Sequence, residues 1–136
     1  MAVTYDGVAQ QREEMGKADW RWPIAERFLE LMTNQGLTSL LEIGAGVGFT
    51  SRWFADRGID VTATDLSPAQ VELCRAKGLR AEVRDMYELG CPSGSFGAVW
   101  MMNCIHQVPS ADVAQVLDGI ADLLQPHGLL YLGVWG

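Results

Sequence analysis

The stretch Leu40-Leu41-Glu42-Ile43-Gly44-Ala45-Gly46-Val47-Gly48 constrains this chain more than any other. An apolar run meets three alternating glycines. A strand therefore enters a tight turn whose backbone conformations exclude most side chains. Further on, the apolar stretch 59–64 leads into Asp65. A strand, a turn of small residues, a helix and a second strand ending in a carboxylate make a βαβ unit of the nucleoside-binding kind. Asp65 falls at the carboxyl end of its strand, where open parallel sheets hold ligands.

The flanking sequence repeats this alternation. Residues 1–18 are weakly patterned. Pro23, free of an amide hydrogen, suits the first turn of a helix over about 20–34, with Ile24, Phe28, Leu31 and Met32 near helical spacing and Asn34 and Gly36 as stops. Trp20 and Trp22 either pack that helix on the sheet or line a pocket. The first strand is 39–43, and a short helix follows over 49–57. Ser67-Pro68-Ala69-Gln70 is a helix start, with a serine cap, proline first and glutamine three after the cap. Gly78 stops that helix. A third strand covers 80–83, and Gly90, Pro92 and Gly94 make 88–95 a loop where a crossover helix could stand. The fourth strand, 96–102, is apolar throughout and hence central. Ser110 can cap a last helix whose stripe is Val113, Val116, Leu117, Ile120, Leu123 and Leu124; Pro126-His127-Gly128 ends it, with His127 as a helix-end cation. A fifth strand runs over 129–135. Alternation of this kind predicts an α/β fold with a parallel sheet and right-handed crossovers.

Bulk properties narrow the function. With 136 residues and 49% hydrophobic content, the chain is read as one domain with one core. A net charge of −7 and a pI near 4.6 weigh against nucleic acid and anionic membrane surfaces. No apolar run reaches the roughly 20 residues of a membrane span. The polar, acid-bearing stretch 1–14 does not read as a secretory signal. Cys74, Cys91 and Cys104 have no CxxC spacing, so neither a disulfide framework nor a metal site is indicated, and a reduced cytoplasmic location is the default. The cysteines read as packing residues, with Cys91 in the loop the most reactive.

The stretches LLEIGAGVG, VTATDLSP, VRDMYEL, FGAVWMMNCIHQVP and LLQPHGLLYLGVWG together resemble the class I S-adenosylmethionine-dependent methyltransferases, in their small-molecule branch. The resemblance covers about 38–136. It implies a Rossmann-like core over 38–136 with strand order 3-2-1-4-5 and helices on both faces, preceded by an N-terminal helical cap segment over 1–37. It implies S-adenosylmethionine as cofactor, S-adenosylhomocysteine as product, and methyl transfer to a small-molecule acceptor by in-line displacement. By the resemblance, Glu42 holds the glycine loop and the cofactor's amino group. Gly44, Ala45 and Gly46, with Gly48 closing the turn, bring backbone against the methionine part and ribose. Asp65 accepts the ribose hydroxyls, Leu66 lies against adenine, Asp85 accepts from its amino group, the Met86 amide reaches a ring nitrogen, and Asn103 sits near the methionine end.

Plainer readings stand beside these. Glu42 could be a paired structural carboxylate, although an acid in an apolar strand is costly unless paired. Gly44 and Gly46 could be turn formers alone, and Asp85 an exposed strand-end acid. His106 is either a general base near the transferred methyl or a loop histidine. A nicotinamide-dependent oxidoreductase would need glycine where Phe49 stands. The family continues past the fifth strand with a helix and a β-hairpin, whereas this sequence ends at Gly136. The expectation is a shortened form that binds cofactor and turns over poorly, or a homodimer covering an exposed fifth-strand edge.

Overall fold

The strand predicted at Ser39–Ile43 forms β1 in a computed structural model, which describes residues 21–102 and 105–133, with only the backbone for His106. Four strands join it: β2 (Asp60–Asp65), β3 (Arg80–Val83), β4 (Phe96–Met102) and β5 (Leu124–Gly133). The order across the sheet is β3-β2-β1-β4-β5 and every neighbouring pair is parallel. β1 and β4 are apolar on both faces because helices cover both.

On one face lie α1 (Arg21–Asn34), α2 (Phe49–Asp56) and α3 (Pro68–Ala76). Ala25, Phe28 and Met32 of α1 join Leu40, Phe54, Ala98 and Trp100 in one buried cluster, with Phe28 edge-on to Trp100 at 5.5 Å. Trp22 stacks on Trp53 at 5.9 Å, so Trp22 ties α1 to α2; Trp20 lies outside the described residues. Val71 and Cys74 of α3 pack on Ala63 and Ala81. The other face belongs to α4 (Val113–Leu123), whose Val116, Ile120 and Leu123 meet Leu41, Ile43, Val99 and Met101. No helix among the described residues is long and apolar enough to cross a membrane.

Local punctuation follows the sequence in most places. The Ser67 side chain accepts from the Gln70 amide at 3.4 Å, with Pro68 in the first position. Gly78, at φ 80°, follows α3. Two places differ. Ser110 does not cap α4. The chain makes a 3-10 turn over Ser110–Asp112, and α4 starts at Val113 without a side-chain cap. The Asp112 carboxylate accepts instead from the Tyr87 hydroxyl, at 2.9 Å. Nor does Pro126-His127-Gly128 end the helix. α4 ends at Leu123, and Leu124 already pairs with Phe96 of β4. Pairing resumes at Leu129 with Ala98, so the tripeptide is an irregularity inside β5. His127 sits there at φ 63°, four residues past α4, and is not a helix-end cation. A Cβ on Gly128 would fall 2.8 Å from the Gln125 carbonyl oxygen, which is why glycine follows it.

Candidate functional site

The site grows from the carboxyl ends of β1 and β2. β1 lies between β2 and β4, with Ile43 level with Thr64 on one side and Met101 on the other. Gly44, Asp65 and the residues after Met101 are therefore brought to one rim of the sheet. Chain connections leave β1 and β4 toward opposite faces, so a crevice opens where the winding reverses.

Gly44, Gly46 and Gly48 adopt φ 73°, 58° and 88°, a region in which a side chain costs about 1–2 kcal/mol. The last two serve different ends. A Cβ on Gly46 would meet nothing within 4 Å, so a ligand can approach the backbone there. A Cβ on Gly48 would stand 2.9 Å from the Cys74 sulfur and 3.0 Å from Leu79 Cδ1. Gly48 is buried and lets α2 pack against α3. The Cys74 thiol donates to the Gly46 carbonyl at 3.3 Å, and burial pushes that thiol up to about 11, so it stays protonated.

The turn is fastened to its neighbours by its own amides. Ala45 N–H donates to the Thr64 carbonyl and Gly46 N–H to Asp65 Oδ2, both at 2.9 Å, and Gly48 N–H to the Ala45 carbonyl at 3.0 Å. Asp65 also accepts from the Ser67 amide through Oδ1 at 2.9 Å. Each carboxylate oxygen thus has one backbone donor and retains acceptor capacity. The group is fixed in orientation, half-buried, and ready for two more donors. Leu66 beside it is 68% exposed, an apolar side chain standing free at the crevice. The β2–β3 ladder extends to a bond from the Arg84 amide to the Asp65 carbonyl at 3.1 Å, which delivers exposed Asp85 to the same rim. Asp85 Oδ1 accepts from the Tyr87 amide at 2.9 Å. Met86 is half-buried against the α4-side core.

Glu42 is 4% exposed. Ser51 of α2 donates to its Oε1 at 2.5 Å, and Thr64 Oγ1 donates to its backbone carbonyl at 2.7 Å. Burial lifts its pKa to about 8, against the hydrogen bond from Ser51 and the charge of Arg21. Arg21 donates to Thr50 Oγ1 at 3.0 Å, so α1 reaches the helix that follows the glycine turn. Asn103 and the His106 side chain lie outside the described residues; the His106 backbone is in a 3-10 turn, Ile105–Gln107, just after β4. Sequence reasoning missed Ser51, Arg21 and Tyr87. The available signal for Ser51 was a hydroxyl on the face of α2 that also buries Thr50 and Phe54. Cys91 is half-buried, its thiol donates toward the Leu89 carbonyl at 3.6 Å, and burial raises its pKa, which makes it less nucleophilic than a free thiol, although it is less buried than Cys74. Among the described residues no cluster of three or more His, Cys, Asp or Glu could hold a metal.

The set suits a cationic nucleoside. Asp65, Asp85, an open glycine and an exposed leucine stand at the carboxyl ends of β2 and β3 and at the turn after β1, with Glu42 buried behind them. The sequence pattern that defines a family described as "Methyltransferase domain" matches residues 41–132. The chain is similar to a ubiquinone biosynthesis O-methyltransferase of Xanthomonas oryzae pv. oryzae, at 35% identity over 100 residues, 68% of this chain and 41% of that protein. Its counterpart in Xanthomonas axonopodis pv. citri is 30% identical over 117 residues, 81% of this chain and 48% of that one. The chain thus spans less than half the length of these relatives. Among solved structures, an S-adenosylmethionine dependent methyltransferase from Mesorhizobium loti matches with TM-score 0.64 and 28% identity, over 71% of this chain and 45% of that one. The PH0226 protein of Pyrococcus horikoshii shares the fold, with TM-score 0.70 and 21% identity over 86% of this chain and 59% of that one. The chain accordingly belongs to the methyltransferase-domain family, among the class I S-adenosylmethionine-dependent methyltransferases.

Proposed function

We propose that this chain holds S-adenosylmethionine at the β1–β2 rim and passes its methyl group to a hydroxyl oxygen of a small molecule. The observation that carries the reading is Asp65, clamped between the amides of Gly46 and Ser67 at 2.9 Å each beside the open Cα of Gly46. The oxygen acceptor is taken from the name of the Xanthomonas relatives. A net charge of −7 favours a small molecule over nucleic acid.

When bound, the cofactor supplies an electrophilic methyl carbon on a sulfonium. The chain's own part is chiefly alignment, which can supply up to roughly 7–11 kcal/mol. In this reading Asp65 accepts from the ribose hydroxyls, Leu66 covers one adenine face, and Asp85 and the Met86 amide read the adenine edge. Gly44, Ala45 and Gly46 line the ribose and methionine side, and Glu42 meets the ammonium. Gly48 supports the turn from below. Asn103 is assigned to the methionine end of the cofactor. His106 is assigned the base that takes the hydroxyl proton. Segment 1–37 caps the acceptor pocket, with α1 as its anchored part.

Calorimetry with S-adenosylmethionine and S-adenosylhomocysteine tests the cofactor half. Absence of binding at millimolar concentration overturns it. Transfer of labelled methyl to a panel of phenols tests the acceptor half, and an undiminished rate in His106→Ala removes the base. β5 forms one side of the sheet and exposes Leu130 and Leu132. We infer that a second copy covers this edge in a reduced, cytoplasmic setting; a clean monomer in sedimentation overturns the pairing.

A further inference from the structure

We propose that Glu42 and Ser51 form a proton-gated cation subsite: Ser51 positions the carboxyl group, and Glu42 releases its proton to solvent as the cofactor's positive charge arrives. The proposal deepens the cofactor reading above and rests on it.

The geometry is that of an acid held in the core at the mouth of a site. Glu42 is the fourth residue of the central strand, two positions before Gly44, and is buried. Its partners in register are Ala63 and Trp100, both fully buried. Neither can offset a carboxylate charge.

The groups facing it come from every neighbouring element. From α2, Ser51 is fully buried and donates at 2.5 Å, while Thr50 takes the Arg21 guanidinium at 3.0 Å. From α1, the charge of Arg21 favours the anion. From β2, Asp65 disfavours it, and Thr64 spends its hydroxyl on the Glu42 backbone carbonyl. From α3, the Cys74 thiol is protonated and interacts with Glu42. From β4, Trp100 offers an aromatic ring and a buried indole N–H without a hydrogen-bond partner.

Burial outweighs the hydroxyl and backbone donors of Ser51 and the arginine, so the cofactor-free group keeps its proton at neutral pH. A cation within about 4–6 Å reverses that preference. The step balances simply. The carboxyl O–H bond breaks, the proton passes to buffer, and the electron pair stays on the carboxylate that now faces the ammonium. Ser51 can donate to that carboxylate throughout. The crevice so presents a neutral acid until a cation enters, and its affinity for the cofactor is linked to pH.

The test is calorimetric titration of the full chain with S-adenosylhomocysteine, which carries the ammonium, in buffers of different ionisation heat. At about pH 7 most of one proton should be released per ligand bound, and the release should fall as pH rises through about 8, where the free acid is already ionised. Glu42→Gln should abolish the release. Ser51→Ala, having lost a donor to the anion, should carry the release to higher pH, and Ser51→Thr should restore the original profile. Binding at about pH 7 with no proton released, or release that persists in Glu42→Gln, overturns the proposal and leaves the cofactor reading standing. If that variant fails to fold, the wild-type pH profile still decides, because release constant across the range cannot come from this group. Absence of binding overturns both readings.

Discussion

Tyr87 donates a hydrogen bond to Asp112 at 2.9 Å, joining the loop after β3 to the 3-10 turn before α4. The same residue's amide holds Asp85 at 2.9 Å. Tyr87 thereby fixes the loop assigned to adenine. Tyr87→Phe removes the link without removing the ring. Affinity for S-adenosylhomocysteine should fall roughly two- to tenfold. Affinity for S-ribosylhomocysteine, which lacks adenine, should not change. Equal losses for both ligands would show that the link serves the fold and not the adenine.

The contrast between Gly46 and Gly48 gives a stability prediction. Gly48→Ala forces a Cβ to 2.9 Å from the Cys74 sulfur and imposes a side chain at φ 88°. Overpacking and backbone strain together should cost about 2–4 kcal/mol in denaturant unfolding. Gly46→Ala meets open space at φ 58° and should cost about 1 kcal/mol. Its larger effect should be on cofactor affinity, because the new methyl occupies the approach to the backbone. The reverse ranking in stability would contradict the packing role of Gly48.

Asp65→Asn should weaken S-adenosylhomocysteine binding by at least about tenfold, as expected when a charge-assisted acceptor is replaced by a neutral one. The amide group can accept from only one of the Gly46 and Ser67 amides through its single oxygen. A modest fall in melting temperature should accompany the loss. Unchanged affinity would remove Asp65 from the site.

Stability should depend on pH through Glu42. Burial raises its folded pKa to about 8, so the native state holds a proton that the unfolded chain gives up at ordinary carboxylate values. The contribution is fully present below the unfolded value and is lost as pH rises through about 8. The melting temperature of the cofactor-free protein should therefore fall between about pH 5 and pH 8. Glu42→Gln, which cannot ionise, should flatten that slope. An equal slope in the variant would assign the pH dependence to another group.

The parts of the fold legible in the sequence were those decided locally. β1 and β4 fall where apolar runs meet turn residues, β3 follows the helix stop at Gly78, and Ser67-Pro68 marks its helix start by chemistry within four residues. Asp65 could be placed because strand, turn and helix lengths fix what a βαβ unit brings to its rim. The cap expected at Ser110 failed because the acid two residues on is drawn to Tyr87, 25 positions away in sequence. Pro126-His127-Gly128 has the composition of a helix end. Only the pairing of Leu124 with Phe96 shows that the strand had already begun. Ser51 shows in the sequence only as a hydroxyl on the buried face of a short helix; the carboxyl group it meets becomes apparent once that helix is folded back over the strand.

The amides of Ala45, Gly46 and Gly48 are all taken by oxygens of the protein itself. A turn of this shape with free amides would cradle phosphate. Here those donors are committed, and the nearest side chains at the rim are acids. Under the proposed reading, an adenosine with a phosphate tail would bring like charge against Asp65 and Asp85 at a turn whose three donors are already spent, whereas one with a cationic tail would not.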